Sequence, residues 1–547
     1  MSQLELPRSI AERTVPDVLD ARAARIPDHV ALVAPSLVAG EERRVTYREL
    51  RDMADRLAGA LHEAGVHKGD RVGIMFDNDG ALEAHVTYHA SHRLGAINVP
   101  INTRYVEREL AYVLSFIAPA AVVFGAQFAG VLGRLGPTLR STALFEAADA
   151  PALGRRLADA LAHAPAQRTP VAERDEADWI FTSGTTGNPK AVALTHVGSV
   201  ACGHQAVPVW GLEADSVYQS FAPFFTSTGS HTNLLSCLVT GCTYAIEPEF
   251  EVHATLARLR RHGATSTFLF NSVLQLVFDR LGPEEIAAAR PPSLRRVCYG
   301  GQANGAAFYH KVWDVLGRGW GVELVNVYGL TEGGTSGTML LHDEHPDALA
   351  RMGEFGLSIG RGTFHPWVER RVARETGEPV APGEIGELWL RGPSTMARYV
   401  SDEDTTARAL PGDGWLRTGD MATVDDADLL YFVDRDKALI RRGGLNISSA
   451  EVEGVLMEHP AVVEAAVVPA PNPVLGHDVR AVVVLAPDAP PTADELRAFC
   501  AHRLADYKVP TTFDVVDALP RNAMNRVVKA ALTGESTALT GKGSAGA

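Results

Sequence analysis

The sequence predicts an α/β protein of more than one domain, and three observations point there. At 547 residues the chain is too long for one hydrophobic core. From about residue 47 onward, helical and strand-like patterns alternate, as they do where helices cover a sheet. After residue 450 a shorter run of strand and helix patterns fits a separate, compact α+β unit.

The elements follow in chain order. Residues 47–65 carry Leu50, Met53, Leu57 and Leu61 at helical spacing, with Thr46 placed to cap the helix and Gly65 to stop it. Residues 70–76 read as a short buried strand. Residues 94–110, LGAINVPINTRYVEREL, place a strand before a turn at Pro100 and then a helix start. Residues 297–304, VCYGGQAN, and 323–334, ELVNVYGLTEGG, each run from a strand into a glycine turn. Residues 383–392, GEIGELWLRG, and 414–420, GWLRTGD, flank a charged loop. Farther on, residues 450–459 form a helix, 462–468 and 479–485 are strands, and 494–504 form a second helix. The Gly/Ser/Thr-rich residues 533–547 lack periodicity and are expected to be disordered.

Composition excludes several classes. A net charge of -15 disfavours nucleic acid and anionic membranes as partners, because both need a basic face. The five cysteines, Cys202, Cys237, Cys242, Cys298 and Cys500, form no C-x-x-C pair and no metal-ligand spacing with histidine, so buried free thiols are expected. The first fifteen residues lack a signal-like apolar core, and no run reaches membrane-spanning length. A cytoplasmic protein is the expectation.

The chemistry centres on residues 181–190, FTSGTTGNPK. Two glycines, four hydroxyl side chains and Lys190 in one turn-forming run suit a backbone that curls its N–H groups around phosphate oxygens. The spacing is not G-x-x-x-x-G-K-[ST], since Lys190 stands three residues after Gly187 with no Ser or Thr behind it, which argues against an ordinary phosphoryl-transferring NTPase. The run resembles the phosphate loop of the adenylate-forming superfamily, which comprises acyl-CoA ligases, amino-acid adenylation domains and firefly-type luciferases. Residues 94–110, 221–230, 297–304, 323–334, 414–420 and 434–437 resemble further motifs of that superfamily in the same order, so the resemblance covers about residues 15–532.

That resemblance implies a large N-terminal domain of several subdomains, residues 1–434, which binds AMP and the acyl group. A small mobile α+β lid, residues 435–532, would turn on a hinge at Lys437, where a solvated charged residue tolerates large backbone change. It implies that Thr182, Ser183, Gly184, Thr185, Thr186, Gly187 and Lys190 hold phosphate, and that Gly301 and Gln302 form the adenine edge with Asn326, Val327 and Tyr328. Tyr328 has a ring that stacks on a purine. Thr331 would sit at the α-phosphate, and Glu332, a hard oxygen ligand, would hold Mg2+ with Thr182. Asp420 can accept both ribose hydroxyls, with Arg435 on ribose or phosphate. Phe225, Thr226, Gly300, Gly301 and Gly329 would line the acyl pocket, and Arg441, Arg442, Gly443 and Gly444 the coenzyme A tunnel. By the residues alone, 221–230 reads equally as a core segment. No acidic residue lies between Phe221 and Gly241, so an α-ammonium substrate lacks a partner there.

One departure bears on function. Residues 519–526 read LPRNAMNR, with Asn525 and Arg526 where the family's pattern ends in glycine and lysine. In the family that lysine bridges the carboxylate and the α-phosphate as the acyl-adenylate forms. Arginine keeps the charge but is planar and fork-shaped, so the exchange is not conservative at a bridging position. A milder departure is Ala191, where glycine is usual. The expectation is an acyl-CoA ligase in which adenylation is impaired and a preformed acyl-adenylate is passed to coenzyme A, with a separate adenylating enzyme as partner. The alternatives are a complete ATP-dependent two-step ligase, with Arg526 or Lys529 in the lysine's place, and a non-catalytic acyl-adenylate or AMP binder. A luciferase-like oxygenase has nothing specific in its favour, and the lack of a carrier domain disfavours a peptide synthetase.

Overall fold

The computed structural model describes residues 6–182, 189–301, 304, 306–355, 357–435, 440–442, 445–472, 475–487, 490–521 and 527–533. The predicted tail falls outside them beyond Thr533. Among the described residues the strands assemble into four sheets, of nine, eight, five and five strands.

In the nine-stranded sheet the strands Thr243–Ile246, Val217–Ser220, Ser266–Phe270, Arg296–Gly300 and Glu323–Gly329 lie side by side, all parallel. They share one direction, so their carboxyl ends meet at one edge. In the eight-stranded sheet, parallel strands around Arg71–Met75 and Ile97–Pro100 give way to an antiparallel hairpin of Glu176–Thr182 and Lys190–Thr195. A five-stranded antiparallel sheet built on Gly386–Arg391, Leu416–Val424 and Leu430–Arg435 follows. The last sheet, centred on Val462–Asn472 and Gly476–Leu485, carries the helices Ser449–Met457 and Ala493–Ala501 and its own apolar core. This is the small C-terminal α+β domain that the sequence predicts beside a large α/β one.

Local chemistry explains where elements begin and end. Thr46 caps the Tyr47–Glu63 helix reciprocally with Glu49, an arrangement worth about 1 kcal/mol. Gly65 follows at φ +97°, a conformation that a side chain disfavours. The Ala81–Leu94 helix is buried at every position although it carries Glu83, His85, His89, His92 and Arg93. It packs on strands of both large sheets and joins their cores. All five cysteines are buried and free of disulfides, as expected. Among the described residues no helix is long and apolar enough to cross a membrane.

Candidate active site

Ligands of open α/β sheets bind beyond the carboxyl ends of the strands. Here that edge gathers three of the predicted segments: residues 221–230 leave the strand ending at Ser220, Gly300 ends its strand with Gly301 just beyond it, and Gly329 ends the next, with residues 330–332 following. The strand register sets Tyr299 beside Asn326 and Gly300 beside Val327. A Cβ on Gly300 would lie 2.3 Å from the Val327 carbonyl oxygen, so only glycine lets the two backbones run this close. Asn326 is buried and donates to the Ser358 carbonyl at 3.4 Å. Gln302 lies outside the described residues.

The acyl and nucleotide segments touch directly. Thr331 Oγ1 donates to Ser227 Oγ at 3.0 Å. Beside it, Thr226 turns its hydroxyl into the chain, donating to the Pro223 carbonyl at 2.7 Å and accepting from Gly229 N–H at 3.0 Å. The threonine thereby closes a turn. A π-helical stretch, Thr228–Asn233, follows; such widened turns cluster at functional sites. Phe225 is buried, and Phe224 meets His85 edge-on at 5.0 Å. Gly329 closes its strand against the backbone of Thr335.

Tyr328 Oη donates to Asp420 Oδ2 at 2.5 Å, and Asp420 is only 3% exposed. Asp420 pairs in register with Arg435, whose side chain is outside the described set. Neighbouring Gly419 is fixed by its N–H to Glu387 Oε1 at 2.9 Å. The adenine-stacking and ribose candidates are therefore one hydrogen-bonded unit across two sheets.

The phosphate loop's hairpin is closed at its mouth by Thr182 Oγ1, which donates to the Lys190 carbonyl at 3.4 Å. Ser183, Gly184, Thr185, Thr186 and Gly187 lie outside the described residues. Lys190 Nζ donates to Asp402 Oδ2 at 3.0 Å and Thr405 Oγ1 at 3.1 Å, and lies 5.5 Å from the centre of the Tyr399 ring. That pairing holds the Asp402 carboxyl below the usual range. Tyr399 Oη in turn donates to Glu332 Oε1 at 2.9 Å. Ala191 is buried against Ala193 and Val400, so its methyl group fills apolar space there.

Among the described residues no group of three His, Cys, Asp or Glu could cage a metal. Glu332 as a single hard donor fits Mg2+ held chiefly by substrate phosphates, which is how that ion is commonly bound. On the predicted coenzyme A side, Arg442 Nε donates to Asp478 Oδ1 at 3.1 Å and Nη1 to the Tyr507 carbonyl at 2.9 Å. The Arg441 side chain, Gly443, Gly444, Lys437 and Arg526 are outside the described residues. Lys529 Nζ is engaged within the C-terminal domain, by Glu453 at 2.7 Å and Ser449 at 2.5 Å.

Behind the site lies a buried charge cluster. Asp178, on the strand that enters the phosphate loop, accepts from Tyr88 Oη at 3.3 Å and Ser199 Oγ at 3.2 Å. It faces His92 Nε2 at 3.3 Å and His231 Nδ1 at 3.6 Å. Burial opposes its charge, yet the two imidazoles hold its carboxyl far below the usual range. His231 is pushed up to about 9, against burial, by the Cys202 sulfur and this carboxylate. The cluster ties the phosphate-loop strand to the π-helical stretch. Sequence reasoning missed Tyr399, Asp402, Thr405 and Asp178, because each meets its partner only through distant chain pairing; the run of hydroxyl and acidic residues at 401–406 was the only local signal.

The chain matches the AMP-binding enzyme family over residues 19–400 and the AMP-binding enzyme C-terminal domain over residues 451–526. It is 33% identical to the 7a-methyl-1,5-dioxo-octahydro-1H-inden-4-yl propanoyl:CoA ligase of Mycobacterium tuberculosis, covering 94% of this chain and 98% of that one. It is 29% identical to the crotonobetaine/carnitine–CoA ligase of Salmonella paratyphi A, covering 92% and 95%. In structure it resembles o-succinylbenzoate CoA synthetase from Bacillus subtilis in complex with its acyl-adenylate intermediate, with a TM-score of 0.81 at 27% identity over 95% and 98% of the chains. An amide bond synthetase from Marinactinospora thermotolerans also scores 0.81, at 28% identity over 94% and 99%. Sequence and fold together make this chain a member of the AMP-binding, adenylate-forming enzyme family, in its acyl-CoA ligase branch.

Proposed function

We propose that the chain forms acyl-CoA thioesters from acyl-adenylates and that its own adenylation step is impaired. The coenzyme A thiol, losing its proton, attacks the acyl carbonyl; the acyl–phosphate bond breaks and AMP leaves with the electron pair. No side chain need act as nucleophile, so positioning and neutralisation of the leaving phosphate carry the rate. The observation that carries the second half is Arg526 in place of the bridging lysine. Lys529, the nearest alternative, supports it by being committed to Glu453 and Ser449.

The site residues take the following roles. Tyr328 stacks on adenine beside Gly301, Gln302, Asn326 and Val327, while Asp420 with Arg435 holds the ribose. Thr331 and the 182–190 loop hold phosphate. Glu332 with Thr182 holds Mg2+, which, when bound, neutralises phosphate charge. Phe225, Thr226, Gly300 and Gly329 border the acyl group, and Arg441, Arg442, Gly443 and Gly444 border coenzyme A. Residues 1–434 form the binding domain and 435–532 the lid, hinged at Lys437. The protein acts in the cytoplasm on small carboxylic acids, with a separate enzyme supplying the adenylate.

A complete two-step ligase is the second reading. It is favoured by the hydrogen-bonded Glu332, a metal carboxylate that only the ATP half-reaction requires. A test of the main reaction is to offer a panel of synthetic acyl-adenylates and follow AMP release. Release that depends on added coenzyme A supports thioester formation; tight adenylate binding without release would make the chain a binder.

A further inference from the structure

Glu332 does not stand alone: its carboxylate is held by a strap of chain, residues 396–400, outside the sequence motifs described above. Residues 396–400 lie along the phosphate-loop hairpin, where the short strand Arg398–Tyr399 pairs with Ala193 and Val192. Met396 N–H donates to the Glu332 carbonyl at 2.8 Å, and Val400 N–H donates to the Ala191 carbonyl at 2.9 Å. The strap is braced from its other side as well. Tyr399 N–H donates to Thr406 Oγ1 at 3.0 Å, and Asp402 caps the Glu403–Ala409 helix through Thr405 N–H at 3.1 Å. Arg398 anchors its start to Glu176 at 2.8 Å.

A carboxylate that binds a cation through one oxygen works best when the other is held, because a fixed ligand loses less freedom on binding. The donor's charge matters. An ammonium or guanidinium would hold Glu332 but neutralise it, weakening its attraction for a cation. A phenol donates one hydrogen bond and leaves the charge in place. Tyr399 supplies that phenol at 2.9 Å, while Asp402 and Thr405 engage the ammonium of Lys190, which lies 5.5 Å from the centre of the same ring.

We propose that Tyr399 is the positioning residue for the nucleotide-bound Mg2+, acting through Glu332 and held in place by the 396–400 strap and the Glu403–Ala409 helix that follows it. The proposal rests on the reading of Glu332 as the metal carboxylate. It is tested by equilibrium binding of ATP to the full chain, with Mg2+ and with EDTA, for the native protein, Tyr399→Phe and Glu332→Gln, with AMP in EDTA as a reference.

The expected result is that Mg2+ tightens ATP binding in the native protein and that Glu332→Gln abolishes the gain. Tyr399→Phe loses about tenfold in Mg2+, the scale of one hydrogen bond to a charged group. Its affinities for ATP in EDTA and for AMP stay within twofold of native. If Glu332→Gln loses the gain and Tyr399→Phe keeps it, the positioning role is wrong and the reading of Glu332 stands. If both variants keep the gain, both ideas fall. If Tyr399→Phe weakens ATP and AMP equally with and without Mg2+, the tyrosine supports the fold rather than the metal, and the proposal is overturned.

Discussion

Replacing Tyr328 with phenylalanine separates the two jobs assigned to that residue. The ring that would stack on adenine remains, and only the hydroxyl that donates to Asp420 at 2.5 Å is removed. Asp420 is 3% exposed, so little water is at hand to replace the lost donor. A hydrogen bond to a charged group contributes roughly 1.5–3 kcal/mol, which corresponds to about a ten- to hundredfold change in affinity if the ribose depends on a correctly aimed Asp420. The assay is equilibrium binding of AMP and of 2′,3′-dideoxy-AMP to native protein, Tyr328→Phe and Asp420→Asn. AMP binding should weaken by that factor in both variants, while the dideoxy nucleotide, which lacks the hydroxyls Asp420 would accept, should bind all three proteins alike. Tyr328→Phe binding AMP within twofold of native would refute the coupling, and equal losses for AMP and the dideoxy analogue would refute the ribose role.

Two predictions concern the scaffold. Gly334 sits at φ +67°, and a Cβ there would lie 2.2 Å from the Ser394 carbonyl oxygen, so Gly334→Ala should lower stability by about 2 kcal/mol or more and reduce the melting temperature. An unchanged melting temperature would show that the turn relaxes freely. His85 and His345 are each lowered by burial to about 4, so both fold as neutral imidazoles. Between pH 6.5 and 4 the unfolded chain binds more protons at these sites than the folded one. Stability should therefore be lost as pH falls through that window, by up to about 3 kcal/mol per residue. Thermal unfolding across pH 4.5–7.5 measures the slope, and His85→Gln should reduce it.

Much of the fold was legible because its signals are local. Thr46 and Glu49 announce the helix that begins at Tyr47, and the strands ending at Gly300 and Gly329 carry both their apolar pattern and their terminal glycines. The meeting of these segments at one sheet edge was legible only through family resemblance, because parallel order is a long-range property. Thr228–Asn233 escaped notice since a π-helical widening leaves no period that hydroxyl residues would reveal. Tyr399 escaped for a different reason: it is 67 residues from Glu332, and nothing in its neighbours marks a phenol aimed at a carboxylate. The Asp178 cluster was hidden likewise, with its partners drawn from residues 88, 92, 199 and 231.

The most direct test of the account compares two reactions, free acid with ATP, Mg2+ and coenzyme A, and the matching acyl-adenylate with coenzyme A. Acyl-CoA is followed by mass spectrometry across a panel of acids, for the native protein and Arg526→Lys. The account predicts that the native protein makes acyl-CoA from the adenylate and at least a hundredfold more slowly from the free acid, and that Arg526→Lys gains the ATP-dependent reaction, since tenfold in rate is about 1.4 kcal/mol of barrier. Efficient turnover of free acid and ATP by the native protein would contradict it and make Arg526 a working substitute for lysine.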